Sequence, residues 1–339
     1  MTLTTVTLGE LMMRLKPPGK LRLRQAQGFE VCHGGAEANV AVSLAEFGLG
    51  SRFVTGLPEG ELGAQALRFL RAHRVDTGQI VQRPGRLGLY FMEEGADFRS
   101  GCVVYDRAGS VFSELSHTDI DWRSAFEGAD WFHISGITPA ISQSAHELAS
   151  AAMTEARRRG IHVSLDLNYR DRLWQYGIDA KDVMPELAVL ADTLIAGRGD
   201  CIHCLGLDGD GENGSHDWAA SLTEKLFDGF SQLQNAAITL RNSESAERHT
   251  WSGHLRTRDG VHFSRTYEMT AIVDRVGTGD AFCAGLIYGL LDGRQPGDAL
   301  EFGAAANCLK HSIAGDSNAV TVEEVDALKS TERFGLLRR

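Results

Sequence analysis

The sequence predicts an α/β fold with a mostly parallel sheet, and two observations carry that expectation. Strand-like and helix-like segments alternate along most of the chain, the pattern left when each strand is followed by a crossover helix. Late in the chain a strand-like segment runs through a glycine turn into a helix over 281–291 that is apolar on nearly every side, so it belongs in a core. No linker-like stretch divides the 339 residues, which points to one large α/β domain over 1–339 with a small β-rich flap.

Residues 6–8 read as the end of a first strand, with Gly9 and Glu10 at its tip. Residues 36–47 read as a helix: Val40, Leu44 and Phe47 share one face and Gly48 supplies a stop. A strand over 52–55 and a helix over 62–73 follow. Residues 87–91 and 102–105 read as short strands separated by turn residues around Gly95 and Gly101, hence a hairpin. Then come a buried strand over 131–135, a helix over 144–159 ended by Gly160, and strands over 161–167, 193–195, 236–240 and 271–273. The stretch 208–215 is a turn-rich surface loop.

Composition narrows the function. With 34 Lys and Arg against 45 Asp and Glu, the formal net charge is −11, which argues against a nucleic-acid partner. No apolar stretch approaches the roughly 20 residues that span a bilayer. The first residues lack a signal-peptide pattern, so a cytoplasmic location and no membrane partner are expected. Six cysteines are too sparse for a disulfide framework. Cys201 and Cys204 form a lone C-x-x-C with His203 inside it, whereas a structural zinc takes four ligands; two small apolar residues on a helix is the reading adopted, and no protein-held metal site is expected.

The strongest local signal is the segment 274–282, Asp-Arg-Val-Gly-Thr-Gly-Asp-Ala-Phe. Gly277 and Gly279 let the backbone turn tightly and leave N–H groups uncovered at the positive end of a helix, a site for phosphate oxygens. Asp280, in the same turn, is placed to take a proton from an attacking hydroxyl. Anion stabilisation beside a general base is what phosphoryl transfer to an alcohol requires. Asp280 could equally serve as a helix cap, and local physics leaves both readings open. No G-x-x-x-x-G-K-[ST] occurs, so this is not a P-loop, and the third glycine of a dinucleotide fingerprint is missing.

This segment resembles the C-terminal signature of the PfkB/ribokinase family of sugar kinases. Residues 34–41, Gly-Gly-Ala-Glu-Ala-Asn-Val-Ala, resemble the same family's N-terminal glycine motif, and the two lie in the expected order. The resemblance covers essentially the whole chain. Within the family, residues 34–39, 105–110, 166–174 and 315–318 look like 2-keto-3-deoxygluconate kinases, the Asn168-Tyr-Arg170 to Leu173-Trp174 stretch most specifically. The resemblance implies a ribokinase-like three-layer α/β/α domain whose β-rich lid is formed by strands within about 10–33 and 86–112. It implies ATP-dependent phosphorylation of the terminal hydroxyl of 2-keto-3-deoxygluconate, giving 2-keto-3-deoxy-6-phosphogluconate. The alternatives are a family kinase for another sugar (fructose, ribose or a keto-deoxy inositol derivative) and a non-catalytic sugar-binding relative.

By the same resemblance, Asp280 is the catalytic base, and the N–H groups of Gly277, Thr278 and Gly279 form the anion hole. Gly34, Gly35 and Asn39 hold sugar hydroxyls; Tyr90, Tyr105 and Arg107 close over the sugar from the flap; Asp316 binds it from the C-terminal side. Arg170 lies between substrate and nucleotide. Asn168, Thr239 and Arg241 join Arg170, Gly277 and Gly279 on the nucleotide side. ATP and Mg2+ are the implied cofactors, with a monovalent cation near Asp274, and a homodimer the implied assembly. An acidic sugar also suits arginine, whose planar fork matches a carboxylate, and Arg107 and Arg170 are the candidates. Two departures from the family pattern stand out. Where the family has Asn-x-x-Glu, Gly197 and Asp200 stand here; and the glycine turn expected after 236–240 is replaced by 241–251, beginning at Arg241.

Overall fold

Thr5, Val6, Thr7 and Leu8 are all fully buried, so the first strand is covered on both faces, as a central parallel strand is. The computed structural model describes residues 3–330, so the ends of the 1–339 span lie outside the described residues. In chain order its strands are β1 (Thr4–Leu8), β2 (Met12–Lys16), β3 (Glu30–Gly34), β4 (Gly50–Pro58), β5 (Ile80–Arg83), β6 (Leu89–Glu93) and β7 (Cys102–Asp106). They continue with β8 (Trp131–Ser135), β9 (His162–Asp166), β10 (Thr193–Gly197), β11 (Asn235–Ser243), β12 (His249–Thr257), β13 (Val261–Phe263) and β14 (Tyr267–Met269). The helices are α1 (Ala36–Glu46), α2 (Glu61–Ala72), α3 (Trp122–Ala125), α4 (Gln143–Arg158), α5 (Ala180–Ala188), α6 (Arg198–Leu205), α7 (His216–Gly229), α8 (Thr278–Leu291), α9 (Pro296–Lys310) and α10 (Val322–Ser330).

The main sheet runs β13-β12-β11-β10-β9-β8-β1-β4-β5, with β14 paired to β12. From β11 to β5 it is parallel, and β12 turns back antiparallel on β11. One face packs a core of Leu148, Met153, Val163, Met184 and Trp218 beneath α4, α5 and α7. The other packs Val40, Leu44, Trp131, Phe282 and Phe302 beneath α1, α8 and α9. These are the two outer layers of the three-layer α/β/α fold. Helix α8 lies in the core, as its apolar surface demands; burying Phe282 alone contributes about 2 kcal/mol of transfer free energy. A second sheet, β3-β2-β6-β7, forms the lid. No helix among the described residues is long and apolar enough to cross a membrane.

Two features place the site. After β1 the chain builds β4 and β5 on one side and later β8 to β11 on the other, so the sheet has a switch point between β1 and β8 where crossovers leave a crevice at the strands' C-terminal ends. And both glycine motifs end at such crevices as helix N-termini, α1 after Gly35 and α8 after Gly277. One expected strand is corrected. Residues 271–273 form no strand, because the N–H groups of Val273 and Asp274 both donate to the carbonyl of His311, at 2.8 and 3.3 Å, rather than to a ladder; the nearest strand is β14. Cys201 and Cys204 are both buried on α6, where removal from water pushes both thiols up.

Candidate active site

A cleft of about 1420 Å³ lies between the lid and the C-terminal ends of the parallel strands. Its floor is the turn before α8. Gly277 caps the helix with φ +78°, and a Cβ there would lie 1.9 Å from the carbonyl oxygen of Asp316, so only glycine fits. The turn is braced from three sides: Asp274 Oδ1 accepts from Val276 N at 3.0 Å, Thr278 Oγ1 donates to the Arg275 carbonyl at 3.1 Å, and Asn307 Nδ2 on α9 donates to the Thr278 carbonyl at 2.8 Å. The first intrahelical donor is Ala281 N, to the Gly277 carbonyl at 2.9 Å. The N–H groups of 277–280 precede it and face the positive end of a 14-residue helix, an anion site.

Asp280 stands in the first turn of α8, half-buried on the cleft wall. Its Oδ2 accepts from Asn39 Nδ2 of α1 at 2.7 Å. Removal from water raises this carboxyl to about 7; the Asn39 hydrogen bond and the Arg170 charge hold it down against that effect. A carboxylate poised near neutrality is suited to take a proton from a hydroxyl. The second carboxylate on this wall, Asp166 at the end of β9, is pushed well above its ordinary range by burial and then by the charges of Asp200 and Asp280. Asp200 Oδ2 accepts from Gly197 N at 2.6 Å and Oδ1 from Tyr169 N at 2.9 Å. The residue standing in the family glutamate's place therefore closes the N-terminus of α6 and fixes the loop after β9. Asn168 in that loop has φ +36°, a conformation asparagine tolerates better than most residues.

Three arginines line the same cleft, Arg170, Arg241 and Arg275, and none makes an ion pair among the described residues. Burial, then Arg275 and Arg170, lowers the Arg241 guanidinium against the opposing charge of Asp200, so three like charges are gathered with carboxylates near them but no direct ion pair among the described residues. Such a cluster is a site for a polyanion. Thr239, midway along β11, lines the cleft beside Gly197.

The lid supplies Tyr90 and Tyr105, directly opposite each other on β6 and β7 with ring centroids 6.3 Å apart; both line the cleft. Tyr90 Oη bonds to Asp316 Oδ2. Asp316 Oδ1 accepts from Arg14 Nη1 at 2.6 Å, and Arg14 Nη2 reaches Asp274 Oδ2, also at 2.6 Å. Arg14 on β2 thus gives both terminal nitrogens to carboxylates, while its Nε is buried without a partner, and it ties the lid to Asp274 at the start of the phosphate turn and to Asp316 beside it. Arg107 turns to Glu10 instead, its Nε at 2.7 Å from Oε2; its Nη1 is buried without a partner. Gly34 lies behind the cleft wall, where a Cβ would strike Asp316 Oδ2, while Gly35 and Asn39 line the cleft.

The structure thus gathers Asp280, Gly277, Thr278, Gly279, Gly35, Asn39, Tyr90, Tyr105, Asn168, Arg170, Thr239, Arg241 and Asp316 on one cleft, and sets Gly34 and Arg107 just outside it. Sequence reasoning assigned no role to Arg14, Asp166 or Arg275. Asp166 and Arg275 sit inside motifs already singled out; Arg14 carries no local signal, because its partners lie 260 and 302 residues away.

A fold of this topology with a carboxylate beside an anion turn fits the class of phosphotransferases acting on an alcohol. The chain belongs to the pfkB family of carbohydrate kinases, whose model matches residues 3–321. It is similar to 2-dehydro-3-deoxygalactonokinase of Haloferax volcanii, 32% identical over 96% of each chain, and to 2-dehydro-3-deoxygluconokinase of Bacillus subtilis, 26% identical over 98% of this chain and 97% of the relative. Among solved structures, 2-dehydro-3-deoxygluconokinase of Thermotoga maritima superposes with a TM-score of 0.92 at 42% identity, covering 97% of this chain and all of that one.

Proposed function

We propose that this carbohydrate kinase transfers the γ-phosphoryl group of ATP to the terminal hydroxyl of 2-keto-3-deoxygluconate. The observation that carries the reading is the Asp280 carboxylate beside the N–H groups of 277–280, in a cleft also lined by Arg170, Arg241 and Arg275, none of which makes a direct ion pair among the described residues. The base takes the hydroxyl proton, the turn receives the phosphoryl oxygens, and Arg170, Arg241 and Arg275 offset the phosphate charge. Arg170, nearest Asp280 in electrostatic terms, faces both reactants. Arg107 is held by Glu10 just outside the cleft, which leaves Arg170 as the arginine of the two placed to meet the sugar's carboxylate. The relatives' names favour a 2-keto-3-deoxy sugar acid over fructose or ribose, and the Haloferax relative makes the galactonate epimer the second substrate to consider.

Asp166 and Asp200 fit a magnesium ion. Both are acidic oxygen donors on the cleft wall, the charge of Asp200 raises the proton affinity of Asp166, and two carboxylates plus phosphate oxygens and waters are an ordinary magnesium environment. Asp166 and Asp200 would hold the ion, which would supply positive charge against the phosphates. Closure of Tyr90 and Tyr105 over the sugar keeps water from the reacting phosphoryl group. Exposed Phe29, Val31 and Val104 on the lid sheet support pairing of two copies through the lid, and a cytoplasmic setting supplies the ATP.

The test is ADP release with Mg2+ and ATP against 2-keto-3-deoxygluconate, 2-keto-3-deoxygalactonate, fructose, ribose and gluconate. Preference for the keto-deoxy acids is expected. Preference for a neutral sugar would overturn the substrate while leaving Asp280 its role.

A further inference from the structure

Lys310, the last residue of α9, is fully buried. A buried ammonium is costly unless its donors are met. Here none of its hydrogen bonds goes to a carboxylate: Nζ donates to the main-chain carbonyls of Ile313 at 3.0 Å and Gly315 at 2.8 Å. Burial lowers its proton affinity, and the nearby charges of Asp274 and Asp316 restore part of it. Carbonyl oxygens turned inward beside carboxylates are the donor set that strips and holds a monovalent cation such as K+. The side chain supplies that cation on a tether.

The cage lies directly under the anion turn. Lys310 Cε is 3.4 Å from where a Cβ on Gly277 would sit, and the Asp316 carbonyl is 1.9 Å from the same point. Gly315 N donates to Asp274 Oδ2 at 3.1 Å, and the His311 carbonyl takes the N–H groups of Val273 and Asp274. Residues 310–316 and 273–277 are therefore one braced unit with the ammonium at its centre. Two buried cations, Arg14 and Lys310, balance the two buried carboxylates Asp274 and Asp316, so the unit has no deficit for a free ion to fill.

We infer that Lys310 is a built-in cation that positions the 277–280 turn, so that phosphoryl transfer by this chain needs no free monovalent cation. On this inference Lys310 takes the place of the monovalent ion that the family resemblance implies near Asp274, and it rests on the reading of that turn as the phosphoryl site. Lys310 is a positioning residue: its ammonium reaches the reaction only through the turn.

The experiment compares K+, ammonium and tetramethylammonium chloride at equal ionic strength, reading both kcat and the thermal midpoint. For the wild type, kcat should agree within about twofold across the salts, as expected when only general screening differs. Lys310→Ala opens the cage. Its kcat in tetramethylammonium should fall at least about tenfold, and K+ or ammonium should restore it saturably and raise the midpoint, as a bound ligand does. Lys310→Met fills the space without charge and should be slow in every salt. The inference is overturned if wild-type turnover requires K+, if Lys310→Met is as fast as wild type, or if no small cation recovers either kcat or the midpoint of folded Lys310→Ala. Should Lys310→Ala not fold, the wild-type and Lys310→Met arms decide alone. Absence of turnover by the wild type in any salt strikes the proposed function instead, and the midpoints still report on the cage.

Discussion

Asn39 Nδ2 donates to Asp280 Oδ2 at 2.7 Å, joining the two glycine motifs across 241 residues of sequence. The bond orients the carboxylate and favours its charged form, which burial opposes. Both motifs therefore converge on a single carboxylate oxygen, the one proposed to accept the proton.

A pH profile follows. Because the free carboxyl lies near 7 and must be ionised to accept a proton, kcat/KM should fall with unit slope as pH drops below about 7. Asn39→Ala removes a contact that lowers this value, so the acidic limb should move to higher pH. A limb unmoved by the substitution would mean another group sets it.

Arg170→Ala removes from the cleft a cation whose charge lowers Asp280. A charge-assisted contact is worth about 1.5–3 kcal/mol, so kcat/KM should drop roughly ten- to hundredfold, with the acidic limb again displaced upward. Arg241→Ala, farther toward the nucleotide side, should raise KM for ATP more than it lowers kcat. Initial-rate kinetics with each substrate varied separates the two.

Arg14→Met leaves Asp274 and Asp316 buried without their guanidinium. Breaking a buried pair costs about 3–5 kcal/mol, and a denaturant titration at neutral pH should show a loss of that order. Burial already raises Asp316, and losing Arg14 raises it further. A group whose folded value is raised stabilises the protein below its unfolded value and loses that contribution as pH rises. The variant's deficit should therefore shrink as the pH is lowered.

Chelation of Mg2+ should abolish ADP release, and Asp166→Asn should raise the Mg2+ concentration needed for half-maximal rate at least about tenfold. An unchanged requirement would place the ion elsewhere.

Much of this site was legible before any coordinates. A turn that needs two glycines, then an acid, then an apolar helix is a local pattern, and Gly277, Gly279 and Asp280 announce it. The parallel sheet was legible for the same reason, since buried strands and crossover helices alternate locally. What escaped is what long-range pairing decides. Nothing in the sequence marks Arg14 until Asp274 and Asp316 are brought to it, or Lys310 until Ile313 and Gly315 turn their carbonyls back. The mistaken strand at 271–273 has the same origin: its N–H groups are claimed by His311, a partner that periodicity cannot identify. Asp200 reads as a defective glutamate in sequence and as a cap bonded to Gly197 and Tyr169 in space.

The measurement that tests the central claim most directly is 31P NMR of ATP, Mg2+ and 2-keto-3-deoxygluconate incubated with the wild type and with Asp280→Asn. The wild type should give a new phosphomonoester resonance coupled to two methylene protons, the signature of phosphate on the terminal carbon. The folded variant should give it at least about a hundredfold more slowly. Release of inorganic phosphate alone, or equal rates from the two proteins, would contradict the assignment of Asp280 as the base for transfer to this sugar acid.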